Sequence, residues 1–131
     1  MSIKPLKSRH SVSLLLMTVA SATGCLPAMA GQADVVAANH ARATDGSYRF
    51  EVTVRHEDAG WDHYADKWQV IGPDGTVLGE RVLLHPHDDE QPFTRSQSGI
   101  VIPAGVKNVI VRAHDKRHGW GGAELTLELS D

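Results

Sequence analysis

The feature that most limits the fold of this chain is a strict alternation of apolar and polar residues over residues 48–56, YRFEVTVRH. Apolar side chains occupy every second position from Tyr48 to Val54, and polar side chains occupy all three positions between them. Successive side chains of a β-strand point to opposite faces, so this pattern predicts a strand with one face in a core and the other in solvent. A helix could not bury such a set of residues on one side.

Other segments carry the same period more weakly, and turns such as Pro73-Asp74-Gly75 separate them. About seven short strands and no helix in roughly 100 residues predict an all-β protein, an antiparallel β-sandwich of the immunoglobulin or fibronectin type. A small barrel is the alternative. Trp68 is the expected large core residue. The further predicted strands are 33–43, 67–71, 77–84, 93–103, 109–114 and 123–129.

The first 30 residues have the pattern of a secretory signal peptide. Three basic residues precede an apolar run at 11–20 that is too short to span a bilayer, and small residues follow up to Ala28-Met29-Ala30. We therefore expect cleavage after Ala30, which leaves residues 31–131 as one domain in the periplasm or outside the cell. No membrane span is expected.

A lipoprotein anchored at Cys25 is the competing interpretation of this leader. Thr23-Gly24-Cys25 partly resembles a lipobox, although Ala22 stands where leucine is usual.

Removal of the leader changes the composition on which function depends. The leader holds Cys25, all three methionines and three of the 13 Lys and Arg residues, so 10 Lys and Arg remain against 16 Asp and Glu, a formal charge of −6 over 101 residues. The mature chain therefore offers no disulfide, no thiolate nucleophile and no soft sulfur ligand. Its acidic balance argues against nucleic acid as a partner.

Most of the histidines are predicted to meet at one end of the sandwich. If consecutive strands are antiparallel, the loops after residues 56, 84 and 114 lie at the same end, where binding residues concentrate in proteins of this architecture. Residues 85–92, HPHDDEQP, place two imidazoles one residue apart, so that they face the same way in an extended backbone. The predicted metal ligands are His85, His87, His114, His118, His63 and His56.

Imidazole with carboxylate suits Cu(II), Zn(II) and Ni(II). His85 and His87 are the preferred pair, with His114 and His118 next. Several of the candidates have a simpler explanation. His56 lies on the apolar face of its strand and suits a buried core position, and His63 and His118 suit solvated loops. His114 shares a face with Ile110 and needs a twist or bulge to join the others.

Many carboxylates crowd the same end, and a solvated acidic rim explains most of them. They could also add a metal ligand or orient a metal-bound histidine. Calcium ranks below a histidine-bound metal because no loop has the regular spacing of a calcium cage. These residues are Glu57, Asp58, Asp62, Asp66, Asp88, Asp89, Glu90 and Asp115.

Two tryptophans, Trp61 and Trp120, fall in the same predicted loops. Aromatic rings beside polar groups can stack on sugars or other small ligands, so a carbohydrate or small-molecule binding module is the second hypothesis.

Three segments resemble those of small secreted bacterial proteins of uncharacterised function. They are WDHYADKWQVIGPDGTVLG, LLHPHDDEQPFTRS and VRAHDKRHGWGG. The resemblance implies export and one compact domain.

The sequence thus predicts an exported protein that binds Cu(II) or Zn(II) for storage, delivery or sensing. No nucleophile motif indicates an enzyme. A structural or interaction domain without a metal is the remaining alternative.

Overall fold

A computed structural model describes residues 31–130. The predicted leader with Cys25, and Asp131, lie outside the described residues. Residues 31–130 form eight strands and no helix. The strands are β1 (Asp34–Arg42), β2 (Tyr48–Arg55), β3 (Ala65–Ile71), β4 (Val77–Val82), β5 (Phe93–Ile100), β6 (Asn108–Asp115), β7 (Gly119–Trp120) and β8 (Leu125–Glu128).

The strands form two antiparallel sheets that pack face to face. One sheet has the order β1-β2-β5, and the other has the order β4-β3-β6 with β7 and β8 both paired to β6. The chain passes from one sheet to the other after β2, after β4 and after β5, so the loops at these points join the two layers. The predicted all-β sandwich is confirmed.

The core lies between the alternating inner faces of the two sheets. Phe50, Val52 and Val54 of β2 are fully buried, as the alternation predicts, and Val111 of β6 faces them from the other sheet. Trp68 of β3 is also fully buried, which confirms it as the large core residue. Burial of these apolar surfaces is the main favourable term in folding.

The structure differs from the predicted elements mainly at strand ends. β4 ends at Val82 and β5 ends at Ile100, each earlier than predicted. A short extra strand, β7, lies in a segment predicted to be a loop, where Gly119 pairs with Asp115 and Trp120 pairs with His114. Two residues are too few to carry a period, so only the tertiary pairing defines this strand.

No stretch of residues 31–130 forms a helix with the length and apolar character needed to cross a lipid bilayer.

Two valines provide a matched test of this core. Val52 is fully buried in β2, whereas Val77 is 47% exposed at the start of β4. We expect Val52→Ala to reduce the free energy of unfolding by about 2 kcal/mol, because it loses buried methyl groups and leaves a cavity. Val77→Ala should change it by less than about 0.5 kcal/mol. Urea unfolding of both variants measures the difference, and equal effects would contradict the assigned packing.

Candidate metal centre

Loops from both sheets meet at one end of the sandwich. β2 ends beside the start of β5, since Val54 pairs with Phe93, and β6 ends beside the start of β3, since Asp115 pairs with Ala65. β4 also ends there, since Val82 pairs with Lys67. The segments that carry the predicted histidine ligands therefore leave the strands at the same end.

Three side chains, one from the loop after β2 and two from the end of β6 and the turn that follows it, bring their ligand atoms together. His63 Nε2 lies 3.2 Å from His118 Nδ1 and 3.4 Å from Asp115 Oδ1. His118 Nδ1 lies 3.1 Å from the same Oδ1 atom. Four ligands at the usual zinc bond lengths form a tetrahedron with edges of about 3.3–3.4 Å. The two imidazole nitrogens and the carboxylate oxygen thus form a triangle of the size that one face of a metal site requires.

Asp115 is fully buried at the end of β6. Its Oδ1 accepts hydrogen bonds from the backbone N–H groups of Arg117 and His118, at 2.9 and 2.7 Å. Its other oxygen, Oδ2, is buried with no hydrogen-bond partner among residues 31–130. A buried carboxylate oxygen without a partner is costly, so this atom calls for a cation or another donor.

The charge state of Asp115 follows from these contacts. Burial on its own raises the pKa of the carboxyl group, but the hydrogen bonds from His118 and Arg117 and the nearby charge of His56 outweigh it. The pKa therefore lies below its ordinary value of 3.8, and the group is ionised at neutral pH.

A backbone carbonyl oxygen is the fourth polar atom at the cluster. The Gly31 carbonyl oxygen lies 3.2 Å from His63 Nε2 and accepts a hydrogen bond of 2.9 Å from His56 Nε2. A carbonyl oxygen has two lone pairs, so it can accept this bond and still coordinate an ion. The Gly31 carbonyl oxygen thus lies beside one corner of the triangle, at His63 Nε2.

His56 adjoins the triangle but is engaged on both sides of its ring. Its Nδ1 lies 2.5 Å from Asp58 Oδ1, and its Nε2 bonds to the Gly31 carbonyl. Both partners accept hydrogen bonds, so the ring meets both only when both nitrogens carry protons. The ligand atoms of His56, His63 and Asp115 lie within 4.8 Å of one another, so His56 is near enough to coordinate after losing a proton.

The pKa of His56 agrees with this double donation. Burial alone lowers it, but the hydrogen bonds to Asp58 and Gly31 and the charges of Asp58 and Asp115 raise it above its ordinary value of 6.5. In the described conformation the His56 ring lies between Asp58 and the Gly31 carbonyl and holds that carbonyl in place.

Asp58 connects this cluster to the neighbouring loop. Its Oδ1 also accepts the backbone N–H of Ala65 at 3.0 Å, and its Oδ2 accepts that of His87 at 2.7 Å. Burial raises the pKa of this carboxyl group, but the hydrogen bonds from His56, His87 and Ala65 outweigh it and the pKa is lowered. Two buried carboxylates with lowered pKa values, Asp58 and Asp115, thus lie close to the His56 ring.

His85 and His87, the preferred pair from sequence, lie side by side but outside this triangle. Their ring centroids are 4.6 Å apart, and His87 stacks on Phe93 at 3.9 Å. Both ring nitrogens of His87 are buried without a hydrogen-bond partner among the described residues, and His85 Nδ1 lies 3.0 Å from the Pro86 carbonyl oxygen. Their role as metal ligands stays a prediction.

His114 occupies a different surface. It faces outward from β6 with Arg112, as the sequence alternation indicates, and its Nδ1 lies 2.5 Å from Asp66. Its ring packs against Trp120 at 4.8 Å. The register of β3 shifts between Ala65 and Lys67, opposite His114, but the His114 ring stays against Asp66 and Trp120 and does not join the triangle.

The two tryptophans of the small-ligand hypothesis differ in access. Trp61 is 63% exposed and packs edge-on against Tyr64. Trp120 is only partly exposed, because the Arg112 guanidinium lies 4.1 Å from its ring centroid and Lys67 and His114 lie beside it. These side chains thus already cover much of the surface of the Trp120 ring.

No protein family matches the sequence, and no solved structure matches it. A protein of Halomicrobium mukohataei named "Putative lipoprotein" is 43% identical over 97 residues, which are 74% of this chain and 47% of that protein. The chain thus spans about half the length of this relative.

The central position of Asp58 leads to a prediction about stability. Asp58→Asn removes a charge and leaves one oxygen for three donors, so we expect the free energy of unfolding of the metal-free protein to fall by about 2–4 kcal/mol. Asp89→Asn, at an exposed carboxylate, should change it by less than about 0.5 kcal/mol. Denaturant unfolding at neutral pH tests both, and similar values for the two variants would refute the structural role of Asp58.

His87 should make the fold sensitive to acid. Burial lowers its pKa from the ordinary value of 6.5, and the charges of Arg95 and His85 lower it further. Below about pH 6.5 the unfolded chain therefore binds a proton more readily than the native protein, so stability falls as the pH falls through the native pKa. Above about pH 6.5 His87 is neutral in both the native and the unfolded chain, so its contribution to stability no longer changes with pH.

His87→Phe should remove this contribution while keeping the stack on Phe93. We expect the stability difference between the variant and the wild type to shift in favour of the variant as the pH is lowered. Urea unfolding at several values from about pH 7.5 to 5 measures it. Parallel pH profiles would show that His87 is not held neutral.

Proposed function

We propose that this protein is exported and binds one divalent transition metal ion, Cu(II) or Zn(II), through His63, His118 and Asp115. The Gly31 carbonyl oxygen serves as a fourth ligand, and His56 orients that carbonyl. The observation that carries the proposal is the triangle of 3.1–3.4 Å formed by His63 Nε2, His118 Nδ1 and an Asp115 oxygen.

Two features support a metal ion rather than a proton shared among these groups. A proton on His63 or His118 satisfies only one of the contacts among His63 Nε2, His118 Nδ1 and Asp115 Oδ1. A divalent cation interacts with both imidazoles and the carboxylate at once, and it offsets the negative charge of Asp58 and Asp115. Binding displaces the protons that these nitrogens carry in the absence of metal.

The donor atoms select the class of metal. Two imidazoles with oxygen ligands suit Zn(II), Cu(II) and Ni(II), and the mature chain supplies no cysteine or methionine for Cu(I). The mixture of nitrogen and oxygen is less suited to Ca²⁺ or Mg²⁺, which prefer oxygen ligands only.

Accessibility favours storage, delivery or sensing over permanent structural binding. Asp115 and Asp58 are fully buried, whereas the side chain of His118 is 34% exposed. An ion in this position has a solvent-facing ligand that can leave first, which permits exchange with a partner.

Export is supported by the leader pattern of residues 1–30 and by the name of the relative from Halomicrobium mukohataei. We propose cleavage after Ala30 and a soluble periplasmic or secreted product. The relative's name also agrees with the alternative, a lipid anchor at Cys25.

Titration calorimetry of the metal-stripped mature protein with Cu(II) and Zn(II) tests the site. We expect one ion per chain and a loss of affinity of at least about 100-fold in His63→Ala and in His118→Ala, because each removes a direct ligand. His85→Ala, at an exposed histidine of the HPH motif, is the matched control and should bind as the wild type does.

Two results would contradict the proposal. Wild-type affinity no greater than that of an isolated surface histidine would exclude a site. Binding that survives His63→Ala and disappears in His85→Ala would instead assign the ion to residues 85–87. Circular dichroism of each variant confirms that the sheets are intact.

A further inference from the structure

We propose that the α-amino group of Gly31, released when the leader is removed, is a further ligand of this metal, so that the new amino terminus completes the site. This inference rests on the proposed metal-binding function. It assigns to export processing a chemical role: the precursor lacks one ligand that the mature protein has.

Gly31 already faces the cluster through its other polar group. Its carbonyl oxygen lies between His56 Nε2 and His63 Nε2, at 2.9 and 3.2 Å. In any amino-terminal residue the amine nitrogen and the carbonyl oxygen are separated by two carbon atoms, so both can bind one ion in a five-membered chelate ring. The hydrogen bond from His56 holds the carbonyl end of that ring.

The position of Gly31 leaves no room for a side chain beside the present His118 ring. A Cβ atom at Gly31 would lie 2.5 Å from Cε1 of that ring. A side chain would therefore push His118 away from His63 and Asp115. The first residue after the predicted cleavage point is thus the residue that this close approach requires.

The segment after Gly31 is fixed to the body of the sandwich. Ala33 and Val35 are buried, the Val35 N–H donates to the Ala123 carbonyl at 2.8 Å, and the Ala123 N–H donates to Asp34 at 2.7 Å. Gly122 allows this contact, since a Cβ atom there would overlap the Ala33 carbonyl. The rigid seat keeps Gly31 at the cluster, so a new amine would be held near the metal.

The sequence places the expected cut at this residue. Small residues at Ala28 and Ala30 are the pattern that signal peptidases recognise. Hydrolysis of the Ala30–Gly31 peptide bond adds one water molecule, leaves the carboxylate on Ala30 and places the amine on Gly31. An amide nitrogen is a poor metal ligand at neutral pH, whereas a free amine is a good one, so the cut creates a donor.

The experiment compares two forms of the chain with the same fold. One is the full-length precursor exported by a host and processed, with its amino terminus determined by intact mass. The other begins at Ala28, so that Gly31 keeps its amide bond. Titration with Cu(II) and Zn(II) should show affinity for the processed form that is greater by about tenfold or more, as expected for a tethered extra ligand.

Selective ¹⁵N-glycine labelling provides a direct readout of coordination. In the Cu(II) complex of the processed form, the label should change the nitrogen hyperfine pattern in electron paramagnetic resonance, and in the Ala28 form it should not. His63→Ala in the processed form is included to test the underlying site.

The outcomes separate the two proposals. Equal affinity of the two forms, with binding lost in His63→Ala, would overturn the role of the amine and leave the metal site standing. No tight binding in either form would refute both. A processed chain that begins at another residue, such as a lipid-modified Cys25, would also overturn this inference.

Discussion

Packing of two alternating strand faces against each other is the constraint on which the rest of this protein depends. The inner residues of β2 and β6 share one core cluster with Trp68 of β3, and this cluster joins the two sheets. Once the core is formed, the strand ends at one end of the sandwich are close enough for short loops to contact one another. The loops after β2, β4 and β6 then lie close together, because antiparallel strands return them to the same end of the sandwich.

Polar groups rather than apolar ones organise that end. The side chains of Asp58 and Asp115 are fully buried, and each accepts backbone N–H groups of the loops and turns at this end. Buried carboxylates are costly unless hydrogen-bonded or paired, so their retention narrows the conformations open to these loops. The same groups hold His56 and His118, so one network both orders the loops and orients the imidazoles.

The sequence predicted the architecture and the end of the sandwich at which the histidines gather, but not which of these side chains contact one another. Alternation in residues 48–56 and the turn signals were enough for the sandwich, since a period of two leaves one face to bury. The preferred pair, His85 and His87, was chosen by spacing alone, and spacing cannot show that His87 turns onto Phe93. His63 and His118 were predicted as ligands, yet Asp115 was only one of eight acidic candidates and the Gly31 carbonyl carries no side-chain signal.

The sequence by itself thus determined which residues form strands and where the turns lie, because both follow from residues a few positions apart. It also indicated that histidines and carboxylates gather at one end, because consecutive antiparallel strands return alternate loops to the same end. Only the tertiary structure decided which of those side chains share a point. His63, Asp115 and His118 come from two different loops and a strand end, and Gly31 approaches from the start of the fold. Distances between such segments depend on how two sheets pack, and that packing is a property of the whole core rather than of any segment.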